Sequence, residues 1–215
     1  LHKAIRRQRQ MCIRDRLALC SQALDEGFAA QEILSDGLVK GMNKLGDDFS
    51  ANRVFVPEML IAARCMSAAT ELLKPHMVGE GGESATVGSA VIGTVRGDMH
   101  DIGKNLVKIM MEGSGIEVYD LGTDVSAEQF IETAVEHDCG IIACSSLLTT
   151  TMNEMRRVVS LAEEQGIRQK VRILIGGAPI SQSFCDEIGA DVYTEDAGAA
   201  ARAAVEILKT CQNGK

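Results

Sequence analysis

The sequence predicts an α/β chain in two parts: a small helical bundle, then a five-stranded, doubly wound parallel sheet. Three observations predict it. Apolar residues between Leu17 and Met77 recur at helical spacings, residues 78–89 are rich in glycine, serine and glutamate, and the remainder alternates short apolar runs with helical segments.

Residues 1–16 hold six Lys/Arg and one acid and keep no period, so they read as a basic tail without a functional role. A first helix is predicted near 12–26. Leu38, Met42, Leu45 and Phe49 then mark one buried stripe, and Met59, Ala63, Met66, Thr70, Leu73 and Met77 a second. Pro57 suits a helix start, where its missing N–H leaves no bond unmade, and Glu58 follows at the positive end of the dipole. With Gly27, Gly46 and Pro75 as punctuation, residues 17–77 form an antiparallel bundle of three or four helices.

Residues 78–89 contain four glycines, two serines and two glutamates, the composition of a flexible connection. Beyond them, Ala90–Val95, Glu117–Leu121, Gly140–Cys144, Val171–Ile175 and Asp191–Tyr193 are predicted strands with helices between. Continuous apolar strands belong to a parallel sheet covered on both faces, so residues 90–215 form the α/β domain.

Composition narrows the function. The chain has 215 residues, 46% hydrophobic and 24% charged, which suits a folded domain rather than a disordered one. Its net charge is −8; removing the tail leaves 16 Lys/Arg against 29 acids, or −13. An acidic body lacks the basic face that nucleic acids require, so no nucleic-acid partner is expected. No apolar run approaches the roughly 18 to 20 residues of a membrane span, and the basic N-terminus lacks the apolar stretch of a signal peptide. The expected location is the cytoplasm, with no membrane partner. Seven cysteines without a C-x-x-C pair argue against a disulfide framework or a zinc ribbon and read as reduced, mostly buried thiols.

Ligands of doubly wound sheets bind beyond the carboxyl ends of the strands. There the sequence places G-D-M-H-D-I-G-K-N (Gly97–Asn105), S-S-L-L-T-T-T (Ser145–Thr151) and G-G-A-P (Gly176–Pro179). With strand order 2-1-3-4-5 these three loops converge. The first is no phosphate loop: it lacks G-x-G-x-x-G, and five residues rather than four separate Gly97 from Gly103. It offers His100 with Asp98 two residues earlier, the pairing that orients an imidazole for a metal or for acid–base work. From the residues alone, a surface histidine without a role, a metal or cofactor ligand and an acid–base residue all stay open. Zinc fits poorly, because no second His or Cys lies near. His2, His76 and His137 attract no constellation and read as solvated.

D-M-H-D-I-G resembles the D-x-H-x-x-G signature of cobalamin-binding domains. Forty-one residues separate Gly103 from Ser145, which opens an S-x-L match, and twenty-eight separate Leu147 from the Gly176-Gly177 pair. The stretch Gly41–Met59 resembles the helical cap preceding this domain in methionine synthase and methylotrophic corrinoid proteins. S-S-L-L-T-T-T-M and I-G-G-A-P-I-S-Q resemble the corrinoid proteins of methylamine and related systems.

The resemblance implies a flavodoxin-like, Rossmann-type fold that holds cobalamin or a related corrinoid. His100 would be the lower cobalt ligand in place of the cofactor's own base, with Asp98 on its other nitrogen, in a loop whose flanking residues are Gly97, Met99, Asp101 and Ile102. Gly103, Ser145, Leu147, Thr149, Gly176, Gly177 and Ala197 would line the path of the displaced nucleotide tail. Met42, Phe49 and Phe55 would shield the upper face, although each also fits ordinary core packing. Thr151 stands where methionine synthase has a serine completing the His–Asp network.

The implied function is methyl carriage on cobalt between a donor-specific methyltransferase and an acceptor methyltransferase, with a reductive reactivation protein as a third partner. A chain this short, without substrate domains, is expected to be a carrier subunit rather than an enzyme alone. Three alternatives stand beside it. A cobalamin sensor would need an output module, a cobalamin-binding isomerase subunit lacks the G-M-x-x-x-G-x-x-F cap, and a flavodoxin-like domain without a corrin would make all three spacings coincidences.

Overall fold

The computed structural model describes residues 15, 17–51, 53–77 and 87–213. Contacts divide the chain into two compact units, Leu1–Ala85 and Thr86–Lys215. The basic tail and most of the 78–89 connection lie outside the described residues.

In the first unit residues 17–25 are helical (α1). The helix closes with Phe28 N–H donating to Ala23 O (3.1 Å) and Gly27 N–H to Leu24 O (3.0 Å), the paired bonds of a Schellman stop. The next helical run, α2, comprises Ala30–Glu32, a π-helical segment Ile33–Val39 and Lys40–Ser50. The wide π turn shifts the stripe predicted at a constant 3.6-residue period: Leu34 and Met42 are buried, while Leu38, Leu45 and Phe49 are half-buried. Gly46, expected to interrupt the helix, is buried within it; a mid-helix glycine costs only about 1 kcal/mol.

α3 spans Val56–Met77. Its start follows the predicted chemistry, with Pro57 in the first turn and Glu58 Oε2 accepting the Phe55 N–H at 3.1 Å. Met59, Ala63, Met66 and Leu73 are buried as expected, and Leu73, Met66, Leu34 and Ala30 form one apolar cluster. Pro75 does not end α3, because in the last turn its ring displaces a single helical bond.

The second unit is the five-stranded parallel sheet: β1 (Gly88–Thr94), β2 (Ile116–Asp120), β3 (Ile141–Ser145), β4 (Arg172–Gly176) and β5 (Val192–Tyr193), in order 2-1-3-4-5. β1 begins at Gly88, so Gly88 and Ser89, expected in the connection, pair with Ile116 and Glu117. The intervening helices are α4 (Ile102–Gly113), α5 (Ala127–Glu136), α6 (Met152–Glu164), α7 (Gln182–Ile188) and α8 (Ala197–Asn213). α4 packs with α8 on one face, and α5, α6 and α7 form the row on the other. Phe130, Ile142, Met155, Ile173 and Ile175 fill the core beneath the second row.

Cys20, Cys65, Cys139, Cys144 and Cys185 are free and buried. Burial pushes the Cys139 thiol up to about 11 and raises those of Cys144 and Cys185. Alkylation of Cys139 at pH 8 is therefore expected to run on the order of a hundredfold slower in the native protein than in denaturant, as peptide mass spectrometry would measure. Comparable rates would contradict the burial. No helix among the described residues is long and apolar enough to cross a membrane.

Candidate functional site

Parallel pairing brings three strand ends level: Thr94 lies beside Ser145, and Ser145 beside Gly176. The loops leaving β1, β3 and β4 therefore meet at one edge, where the chain direction reverses about β1. Ser146 N–H donates to Gly176 O (3.1 Å) and Val95 N–H to Ser145 O (3.0 Å), tying the loops together.

Asp98 sits at the centre of this junction and is fully buried. Its Oδ1 accepts from the His100 amide (3.1 Å) and from His100 Nδ1 (2.8 Å). Its Oδ2 accepts from the amides of Leu147 (2.7 Å) and Leu148 (3.2 Å) and from Thr151 Oγ1 (3.2 Å). Ser146 Oγ, 2.9 Å from Thr151 Oγ1, stands at 3.5 Å from the same oxygen. Burial alone would raise this carboxyl, but the Leu147 amide, the His100 ring and the His100 and Leu148 amides outweigh it and hold Asp98 well below the usual carboxylate range.

A carboxylate can only accept, so the bond to Asp98 places the proton of His100 on Nδ1 and leaves the Nε2 lone pair for a ligand. The His100 side chain is 54% exposed. Thr94 Oγ1 donates to His100 O at 2.7 Å, fixing the main chain as well. The loop is hydrogen-bonded at its main chain and at Nδ1, and the ring is half exposed.

The predicted site residues of the α/β unit fall in four places. Gly97, Met99, His100, Asp101, Ile102 and Gly103 share the β1–α4 turn; Met99 and Ile102 are 71% and 84% exposed, and a Cβ on Gly103 would meet open space. Ser145 and Leu147 close β3, with Leu147 and Leu148 about two-fifths exposed and Thr149 exposed beside them. Gly176 ends β4 against Thr194, whose carbonyl oxygen would be 3.4 Å from an added Cβ. Gly177 has φ +135°, and a Cβ there would overlap the Ser146 carbonyl oxygen. Ala197 is buried at the start of α8.

In the bundle, Met42 is buried, Phe49 half-buried and Phe55 exposed. Met42 thus belongs to the packed interior, as a Met at helical spacing usually does. His76 is exposed, and His137, expected to be merely solvated, stacks on Tyr119 with ring centroids 3.9 Å apart.

Sequence reasoning missed Ser146, Leu148 and Thr94. Ser145 was expected toward the cofactor's displaced base; the serine that joins the Asp98 network is its neighbour Ser146. The S-S dipeptide carried that signal without saying which serine turns inward. Thr151 takes up the network position that the sequence left doubtful.

This arrangement suits a metal that brings most of its own ligands. Among the described residues no group of three or more His, Cys, Asp or Glu could hold an ion. What the loops offer is one oriented imidazole, an exposed apolar rim of Met99, Ile102, Leu147 and Leu148, and open space over Gly103. A cobalt already equatorially ligated by a corrin ring fits such a donor set, and the apolar rim fits a large ring.

Known proteins agree. A family model described as a B12 binding domain matches residues 88–206, and a second B12 binding domain model matches residues 14–74. Dimethylamine corrinoid protein 2 of Methanosarcina acetivorans is 40% identical over 197 residues, 92% of this chain and 91% of that protein. A cobalamin-binding protein from Desulfitobacterium hafniense superposes with TM-score 0.76 at 30% identity, over 88% of this chain and 89% of that one. The methanol:cobalamin methyltransferase complex MtaBC from Methanosarcina barkeri gives 0.74 at 29% identity, over 87% of this chain and 71% of that one. A buried Asp that orients an open His at the switch point of a 2-1-3-4-5 sheet, and matches spanning both units, place this chain in the B12-binding family of corrinoid proteins.

Proposed function

We propose that this protein is a cytoplasmic methyl carrier of one-carbon metabolism, serving methanogenesis or acetogenesis. It would hold a corrinoid through His100 and exchange a methyl group between a donor-specific methyltransferase and an acceptor methyltransferase, with a reductive reactivation protein restoring it after oxidation. The observation that carries the reading is the oriented imidazole: His100 Nδ1 is committed to buried Asp98, while Nε2 is free to bind a metal. The dimethylamine corrinoid relatives support a methylamine as the source of the methyl group, chosen by the partner enzyme.

When bound, the corrinoid supplies a strongly nucleophilic cobalt that accepts and releases a methyl group. The chain's own residues do the rest. His100 Nε2 would ligate the metal, and the Leu147 and Leu148 amides and the Thr151 hydroxyl hold the Asp98 carboxylate against His100 Nδ1. Asp98 Oδ1, 2.8 Å from His100 Nδ1, holds the ring proton on that nitrogen and so keeps Nε2 as the metal-binding atom. Gly103, Ser145, Leu147, Thr149, Gly176, Gly177 and Ala197 would line the tail's path, and the exposed Met99 and Ile102 would offer the ring apolar contact.

Reconstitution with hydroxocobalamin under reducing conditions, followed by absorption spectroscopy, tests this. The native protein is expected to give a spectrum with histidine in place of the benzimidazole base, and His100→Ala to lose that signature while retaining cofactor. A folded native protein that keeps no cobalamin, or a spectrum unchanged in the variant, would sink the reading.

A further inference from the structure

Asp98 and His100 are gripped from two sides, and only one of them belongs to the S-x-L loop. The other is the β2–α5 turn, residues 121–125. It is stitched to the end of β1 by Thr94 N–H to Gly122 O (2.9 Å), Val125 N–H to Thr94 O (2.9 Å) and a parallel bridge between Val95 and Val125. At its tip Asp124 makes two bonds to consecutive residues of the His loop. Its Oδ1 accepts the Gly97 N–H at 2.7 Å, and its own N–H donates to Asp98 O at 3.0 Å.

Two further features single out Asp124. Its φ is +56°, a left-handed conformation that non-glycine residues adopt infrequently and that persists when surrounding structure demands it. Gly97, its partner, has φ +80°, so two adjoining turns hold unusual backbone in order to meet. The turn also has a firm base: Gly122 N–H donates to Asp120 Oδ1 (2.9 Å), and Asp120 pairs with the buried Lys104 at 2.5 Å. Thr123 Oγ1 lies 3.9 Å from Met99 Sδ, one residue from His100.

We infer that Asp124 is a positioning residue for His100: by pinning Gly97 and the Asp98 carbonyl, it sets where the Asp98 carboxylate, and hence the imidazole, stands. The inference rests on the proposed role of His100 as a cobalt ligand, but the hydrogen bond it predicts exists without the cofactor.

The test therefore has two readouts on the full chain, in D124G and D124N. Glycine keeps the backbone angle and deletes the carboxylate; asparagine tolerates the angle and keeps an acceptor for Gly97. In the cofactor-free protein labelled with 15N-histidine, the His100 Nδ1–H resonance is expected to survive in D124N and to be lost to solvent exchange in D124G. After hydroxocobalamin loading, D124G is expected to keep the cofactor with its ratio of histidine-ligated to unligated forms lowered about tenfold, and D124N to match the native ratio.

A native Nδ1–H signal in D124G would overturn the inference, as would a D124G protein that fails to fold, which would make Asp124 a structural residue. Loss of the signal in D124G from a chain that binds no cobalamin would uphold it and sink the carrier reading alone.

Discussion

Replacing Asp98 with alanine is expected to destabilise even the cofactor-free protein by about 3 kcal/mol or more, because it orphans several donors at once. The amides of His100, Leu147 and Leu148 and the Nδ1–H of His100 all lose their acceptor in a buried junction. Asparagine will not rescue it well, since its NH2 group would face donors. Denaturant unfolding of the native and variant chains measures the difference. Because the folded-state carboxyl is held below its ordinary value, the stabilisation it gives is complete above about pH 5 and is lost as pH falls through and below the normal carboxylate range. The gap between native protein and variant should therefore narrow in acid. A constant gap from pH 7 to pH 3 would show that the charge of Asp98 contributes nothing.

Gly177→Ala is expected to be at least as damaging, by a different route. The added methyl group would overlap the carbonyl oxygen of Ser146 and lie 2.8 Å from its carbonyl carbon, and the residue would also be held at φ +135°. Both obstacles are backbone, so no side chain can swing aside. The β3 and β4 loops must separate, costing about 4 kcal/mol or more. Their separation breaks the bond from Ser146 N–H to Gly176 O (3.1 Å) and shifts the loop that holds Asp98, so cobalamin retention is expected to fall together with the melting temperature. Calorimetry and a gel-filtration assay of bound cofactor would check this, and a variant that melts and loads like the native chain would refute it. Gly103→Ala is a useful contrast, since nothing lies within 4 Å of its added carbon.

Much of this architecture was legible in the sequence. The five apolar runs locate the strands to within two residues, because the positions that parallel strands bury are mostly apolar. Asp98, His100 and Thr151 are legible for a related reason: their chemistry resides in side chains. Leu147 and Leu148 act on Asp98 through main-chain N–H groups, which every residue but proline owns, so no letter announces them. Asp124 is hidden by distance, because its partner Gly97 lies 27 positions away and only the sheet brings them together. Gly46 and Pro75 mislead in the opposite direction. Their local preferences against helix are about 1 and 3 kcal/mol, and a long amphipathic helix with a buried face overrides them.

The bonds that fix His100 have a consequence for the order of assembly. Thr94, Asp98, Asp124 and the β3 loop hold the imidazole using groups of this chain alone. Every partner that orients the imidazole is thus supplied by the polypeptide itself, whereas many metal sites rely on the metal to gather their ligands. A histidine oriented by its own chain lowers the ordering cost of docking, which favours affinity. A large ring that takes this histidine meets a nitrogen already aimed at it.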